Sequence, residues 1–335
     1  MLQVDAPSSQ ATPVPAPPFE SPPAFVALVG PTAVGKSAVA VELAKALGGE
    51  IVALDSMQVY RHLNIGTAKP SHIEQQGVPH HLIDVVDPVD PFTAADYARL
   101  AGRALQQIRS RGRLPLVVGG SGLYLRALRG EIFSGPREVP SIRHRLGQQV
   151  AGDGPEVLHA RLTHLDPSTA ARIHPRDAFR LIRALEIIEV TGRRVSELQA
   201  AHREGLVLPS VLFLGLRRER AALYRRIDDR VDRMVECGLV EEVRELLEAG
   251  YAANIKPLRS HNYRHIVAFL LGQGTLEEAV WRTKQGTRHY AKRQMTWFRR
   301  EQGVTWFDLP DADSGRITEA LIASIRNRQT YGATA

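Results

Sequence analysis

The sequence predicts an α/β protein: a parallel sheet core flanked by helices, with an all-helical domain inserted into it. Three observations carry this. The apolar run Val26-Ala-Leu-Val29 leads into Gly30-Pro-Thr-Ala-Val-Gly-Lys-Ser37 and then into a stripe of Val39, Leu43 and Leu47, which reads as strand, glycine turn and helix. Two more short apolar segments, Ile51 to Leu54 and Leu114 to Val118, each run into a loop of polar residues, as buried parallel strands separated by helices do. From about Pro136 to Arg203 no strand pattern is evident and helical periodicity takes over.

The first glycine turn has the spacing G-x-x-x-x-G-K-S. Gly30 and Gly35 allow the chain to turn tightly, so that successive N–H groups point into one hollow, and the following helix adds the positive end of its dipole. Lys36 then reaches a terminal phosphate, and the Ser37 hydroxyl is the expected ligand of Mg²⁺. Gly30, Pro31, Thr32, Ala33, Val34, Gly35, Lys36 and Ser37 are the predicted phosphate-binding residues, and the core is of P-loop NTPase-like type. The motif alone does not separate ATP from any other di- or triphosphate, nor phosphoryl transfer from mere holding.

The segment Ile51 to Leu54 ends in Asp55-Ser-Met-Gln58. Ligands of open parallel sheets sit at the carboxyl ends of strands, so Asp55 is expected to share a cleft with the phosphate loop, although a turn or helix-cap aspartate is also common there. Gly66 and Pro70 mark a loop in which Lys69 is either a phosphate contact or a solvated charge, and His80-His81 has no second ligand pair at metal spacing. Phe92 to Ser110 reads as an amphipathic helix capped by Thr93. Leu114 to Val118 then runs into a second glycine turn, Gly119-Gly-Ser121-Gly, with Ser121 presented at the strand end.

Residues 136–203 are predicted to form the inserted helical domain, between core segments 25–135 and 204–320. Arg176, Arg180 and Arg183 share one helical face there, a candidate surface for a phosphate backbone or an ordinary solvated face. Val211 to Leu216 is a returning strand, and Arg220 to Gly250 a long amphipathic region with Leu223, Ile227, Val231 and Val235 at intervals of four. The stretch from Trp281 to Arg300 contains no acid and interleaves Trp281, Tyr290, Trp297 and Phe298 with Lys292, Arg293 and other cations. That mixture suits RNA, with cations for phosphates and rings for bases, although aromatics at helical spacing are often core.

Composition narrows the classes. The chain has 335 residues, 44% hydrophobic content and a formal charge of +7, enough apolar material for a sizeable core and a bias toward anionic partners. Its one cysteine, Cys237, excludes an intramolecular disulfide framework and fits a reducing cytoplasm. No apolar run approaches the length of a membrane span and no secretory leader is evident. Residues 1–24, rich in Pro, Ala and Ser, are expected to be a disordered tail, and 321–335 a C-terminal tail.

Taken together, Gly30 to Ser37, Asp55-Ser56, Ile65-Gly-Thr-Ala-Lys-Pro70, Val118-Gly-Gly-Ser-Gly-Leu-Tyr124, Asp177 with Arg180, Arg183-Ala-Leu-Glu186, Arg226-Ile227 with Arg230, and Lys292-Arg-Gln-Met-Thr-Trp-Phe-Arg299 strongly resemble the bacterial tRNA dimethylallyltransferase family over roughly residues 25–310. The resemblance implies a monomeric cytoplasmic enzyme that moves a dimethylallyl group from its diphosphate to N6 of the adenine 3′ of the tRNA anticodon, with Mg²⁺ as cofactor. It implies catalytic roles for Asp55 as general base and for Arg230, Thr32, Lys36 and Ser121 around it. The tRNA anticodon stem-loop would meet Asp55, Ser56, Met57, Gln58, Arg176, Arg180, Arg183, Arg259, Tyr263, Arg264, Lys292 and Arg293. The sequence departs from the family pattern at Arg176, where asparagine is usual, at Asn262, where glycine is usual, and at Ser121, where threonine is common. The rivals are a small-metabolite kinase, an adenylate isopentenyltransferase acting on free nucleotides, and an RNA-binding module switched by ATP.

Overall fold

The computed structural model describes residues 24–133, 135–204, 208–310 and 314–330; most of the expected N-terminal tail lies outside them. Strand β1 (Phe25–Val29) enters the first glycine loop and α1 (Lys36–Leu47). β2 (Gly49–Leu54), the single turn α2 (His72–Gln75), β3 (His80–His81), α3 (Ala94–Ser110), β4 (Leu114–Gly119) and α4 (Gly122–Leu128) follow. Next come α5 (Pro140–Asp153), α6 (Pro155–Leu165), α7 (Pro167–Ala170), α8 (Ala178–Thr191) and α9 (Val195–Glu204). β5 (Val211–Arg217) returns to the sheet, and α10 (Arg220–Glu236), α11 (Leu239–Glu248), α12 (Arg264–Leu270), α13 (Leu276–Phe298), β6 (Val304–Asp308) and α14 (Ser314–Thr330) complete the chain.

All paired strands are parallel, in the order β3-β2-β4-β1-β5-β6. β1 is buried at every residue because helices cover both faces, which explains a continuous apolar run in place of alternation. Alternate side chains still divide between two cores. Ala27, Val29, Val52, Leu54 and Phe213 face Tyr97, Leu105 and Ile108 of α3; Val26, Leu28, Leu116, Leu214 and Leu216 face Val39 and Leu43 of α1. The register Val29↔Gly119 and Leu54↔Gly119 brings the carboxyl ends of β1, β2 and β4 level, so the glycine loop, Asp55 and Ser121 emerge along one edge.

α5 to α9 close around a core of their own, with Leu146, Leu158, Leu162, Leu181 and Leu185 fully buried. Two expectations need correction, and two strands were not foreseen. Residues 321–330 are not a tail but the second half of α14, whose Leu321 and Ile325 are buried in the same core as α1. The region Arg220 to Gly250 is two helices, because Gly238 takes a left-handed φ of 98° that ends α10 and starts α11. Two edge strands carried no legible pattern: β3 is two histidines, and β6 is a half-buried Val-Thr-Trp-Phe-Asp.

Candidate active site

The loop between β1 and α1 is held from outside by cations. Lys36 folds back so that Nζ donates to the Gly30 and Pro31 carbonyls at 2.9 and 2.7 Å. Arg226 Nε donates to Ala33 O at 3.1 Å and Arg218 Nε to Val34 O at 2.9 Å. Arg230, half-buried on α10, donates to the Thr32 hydroxyl at 2.8 Å. Burial, followed by repulsion from Arg230, pulls the Lys36 amine from 10.5 down to about 7. A neutral amine has two N–H groups, and here two carbonyls receive them. Three guanidinium groups, together with a lysine that a bound anion would protonate, make the loop an anion site.

Asp55 leaves β2 one residue beyond Leu54, and its Oδ1 accepts from the amides of Met57 at 2.8 Å and Gln58 at 3.4 Å. Burial pushes its carboxyl above the ordinary carboxylate range, while those two amides, Lys36 and Arg230 pull the other way. Asp55 therefore lies within the electrostatic reach of the phosphate loop, as its strand position predicts. The buried Ser121 hydroxyl accepts from the Ser56 amide at 3.2 Å, tying the second glycine turn to the carboxylate segment. Gln58 donates to the Thr67 and Ala68 carbonyls at 3.2 and 3.1 Å, which anchors the loop after it.

The tRNA set suggested by sequence divides into two groups. Arg259, Arg264, Lys292 and Arg293 are exposed. Arg176 and Arg180 are 80% and 71% exposed, each beside one acid, Glu156 and Asp177. Two members turn inward. Arg183 donates to the fully buried Glu186 at 2.6 Å and to Pro136 O at 2.7 Å, and Glu186 also accepts from Arg143 and the Val139 amide. Its guanidinium holds the inserted helices together. Tyr263 is fully buried and donates to Glu242 at 2.7 Å. Its ring lies against Gly66, where a Cβ would come within 2.4 Å of it. Glu242 further accepts from the amides of Asn64, Ile65 and Gly66, so Tyr263 braces that loop from behind and does not face RNA.

Asn262 is not among the residues with positive φ, so this chain needs no glycine there. Its amide donates to Gly66 O at 2.6 Å and its carbonyl accepts from Thr287 at 3.0 Å, linking the same loop to α13. Lys69 is structural too, donating to Tyr60 O, Asn64 and Asp84. The sequence reading missed Gln294, which is buried and bonded to the first glycine loop. Its signal was a polar residue on the buried stripe Thr283, Thr287, Ala291, Gln294, Phe298 of α13. It also missed His261, whose ring lies tilted against Tyr290 with centroids 4.6 Å apart and which is driven down to about 4 by burial and then by Arg293 and Arg230.

Beside these residues a cleft of about 790 Å³ is lined by Lys292, Arg293, Trp297, Arg300 and Arg126, with the carboxylates of Glu131 and Glu301 among them. Among the described residues no cluster of His, Cys, Asp and Glu is built to cage a metal, and Ser37 is an exposed residue at the start of α1. No helix among the described residues is long and apolar enough to cross a membrane.

A glycine loop ringed by cations, set level with a carboxylate on the neighbouring strand of a parallel sheet, defines a P-loop-type α/β protein. A family model described as IPP transferase matches residues 58–301. A tRNA dimethylallyltransferase of Geobacter metallireducens is 52% identical over 286 residues, covering 85% of this chain and 93% of the relative. One from Thermomicrobium roseum is 51% identical over 314 residues, covering 92% and 94%. Among solved structures, the full-length tRNA isopentenylpyrophosphate transferase of Bacillus halodurans matches 94% of this chain and 98% of its own at 42% identity, with a TM-score of 0.69. A eukaryotic dimethylallyltransferase solved acting on tRNA matches 91% and 80% at 29% identity, with a TM-score of 0.78. The chain belongs to the IPP transferase family.

Proposed function

We propose that the protein transfers a dimethylallyl group from dimethylallyl diphosphate to N6 of the adenosine 3′ of the tRNA anticodon, releasing diphosphate. The observation that carries this is Asp55, whose carboxyl is raised by burial and feels both Lys36 and Arg230 at the phosphate loop. A carboxylate in that place serves an acceptor proton, and the loop serves an anionic leaving group. The names of the relatives supply the two substrates.

The loop and Lys36 hold the diphosphate, with Arg230 reaching it beside Thr32. As the C–O bond to the allylic carbon breaks, its electron pair leaves with the diphosphate, and these donors stabilise the developing oxyanion. The N6 amine is a poor nucleophile because its lone pair is delocalised into the purine ring. It forms the C–N bond while its proton passes to Asp55, whose Oδ1 is fixed by the Met57 and Gln58 amides, so Oδ2 is the acceptor. The adenine must leave the anticodon stack to arrive there. Ser37 is the protein ligand proposed for Mg²⁺. The exposed Ser37 would hold the ion by one oxygen, as suits a cation that keeps most of its waters, and the ion would supply neutralisation of the leaving charge when bound.

Arg176, Arg180, Arg259, Arg264, Lys292 and Arg293 are the proposed grip on the anticodon stem-loop, with Ser56, Met57 and Gln58 beside the extruded base. The protein is proposed to act as a monomer in the cytoplasm. The test offers purified protein either dimethylallyl diphosphate or ATP, together with tRNA or AMP. Prenylated adenosine in digested tRNA is the expected product. Consumption of ATP with a metabolite acceptor, or prenylation of AMP in preference to tRNA, overturns the reading.

A further inference from the structure

The geometry points to Gln294 as a positioning residue that sets the separation of the diphosphate loop and the acceptor side of the site; this rests on the prenyl-transfer reading above. Its carboxamide is buried and used at both ends. Oε1 accepts from the Thr32 amide at 2.8 Å, and Nε2 donates to Gly120 O at 3.1 Å. Thr32 lies in the loop after β1 and Gly120 in the loop after β4. These strands are paired only as far as Val29↔Gly119, so beyond that point no ladder bond fixes one loop against the other.

Gln294 supplies the missing rung. The approach is close: a Cβ at Gly120 would sit 2.0 Å from Nε2, so a side chain there would displace the carboxamide. Each end of the bridge continues into the chemistry. The Thr32 hydroxyl receives Arg230, and Ser121, next to Gly120, receives the Ser56 amide beside Asp55. A line of contacts thus runs from the diphosphate-side arginine through Gln294 to the general base. The Thr32 amide is committed to this bridge. A primary amide of this length is needed because the bridge requires one acceptor and one donor on the same planar group. Glutamate accepts at both ends, and methionine offers neither bond.

Displacement at the allylic carbon needs the amine within roughly 3–3.5 Å of it, and a misplacement of about an ångström costs on the order of 10²-fold. Loosening the bridge lets water compete for the allylic carbon, giving dimethylallyl alcohol and diphosphate in place of prenylated tRNA. The experiment compares full-length wild type, Gln294→Met and Gln294→Glu in single turnover with dimethylallyl diphosphate and tRNA. It measures the rate, both apparent affinities, the ratio of alcohol to prenylated tRNA, and the melting temperature.

The expected result is a rate about 10- to 100-fold lower, both affinities within roughly threefold of wild type, and a raised alcohol fraction. Gln294→Asn keeps the same chemistry one methylene short, and gives the answer if the other variants do not fold. Rates within twofold of wild type, or a fall in melting temperature and affinity with an unchanged product ratio, overturn the proposal. Failure of wild type to prenylate tRNA would instead remove the reading on which it rests.

Discussion

Lys36 is the group whose charge this site controls most directly. In the ligand-free protein its amine lies at about 7, through burial and the nearby Arg230. A diphosphate placed in the loop sets negative charge against it, which favours the ammonium and restores the pKa toward its ordinary value. Between about pH 7 and 10.5 the free lysine is therefore mostly neutral and the bound one charged, so binding takes up a proton. Affinity from this source should fall about tenfold, or about 1.4 kcal/mol, for each pH unit above 7. An ester-linked phosphate loses its last proton near pH ~6, so at about pH 8.5 the ligand contributes no proton of its own.

The assay is calorimetric titration of dimethylallyl diphosphate, without tRNA, at about pH 8.5 in two buffers of different ionisation enthalpy; the expected uptake is roughly one proton. Lys36→Arg stays charged throughout and should take up none. No buffer dependence for wild type would refute the reasoning. The same shift bears on the free fold. The folded pKa lies below the unfolded one, so the unfolded chain binds more protons across this window and stability rises with pH through it. Lys36→Met should raise the melting temperature most at or below about pH 7, and hardly at all near pH 10.5.

Asp55→Asn should keep tRNA binding and lower single-turnover chemistry by roughly 10² to 10⁴, and the acid limb of the wild-type rate should lie above the ordinary aspartate range because burial raises this carboxyl; half of wild-type activity in the variant would remove Asp55 from the mechanism. Arg230→Ala should cost roughly 3–4 kcal/mol at the transition state while sparing tRNA affinity, and weakened tRNA binding with intact chemistry would move it to the RNA surface. Arg180→Ala and Arg183→Ala should separate. The exposed Arg180 should flatten the slope of log K against log salt by about 0.7–0.9. Arg183, paired with buried Glu186, should lower the melting temperature with little change in that slope. A flattened slope for Arg183→Ala at unchanged stability would refute its structural role.

What was legible in the sequence was local. The phosphate loop, its strand and helix, Asp55 at the end of β2 and Ser121 at the end of β4 follow from short-range pattern, because a buried parallel strand and a glycine turn advertise themselves within a few residues. The inserted domain showed itself by change of periodicity. Orientation did not. Arg180 and Arg183 sit on one helix three residues apart, yet one is exposed and the other turns in to Glu186, a choice made by where α5 packs. Tyr263 sits among basic residues in the sequence, and only the fold shows Glu242 waiting beneath it. Glu242 itself gave no signal, since its partners are the amides of a loop more than 170 residues away.

The division between local and distant residues also divides their roles. The sheet brings three strand ends level and then stops; its register says nothing about the loops beyond Val29, Leu54 and Gly119. From there the site is set by side chains of α10 and α13, with Arg230 on Thr32 and Gln294 between Thr32 and Gly120. α13 carries Lys292 and Arg293 exposed in the same turn in which Gln294 is buried. One turn of α13 therefore carries both the exposed cations proposed to meet RNA and the buried carboxamide that bridges the two glycine loops. Substitutions in the strands should act chiefly through stability, because they remove buried apolar contacts. Substitutions of the polar side chains Arg230 and Gln294 should act chiefly on turnover, because what they remove is alignment, whereas their apolar neighbours on the same helices, such as Ile227 and Phe298, belong to the core.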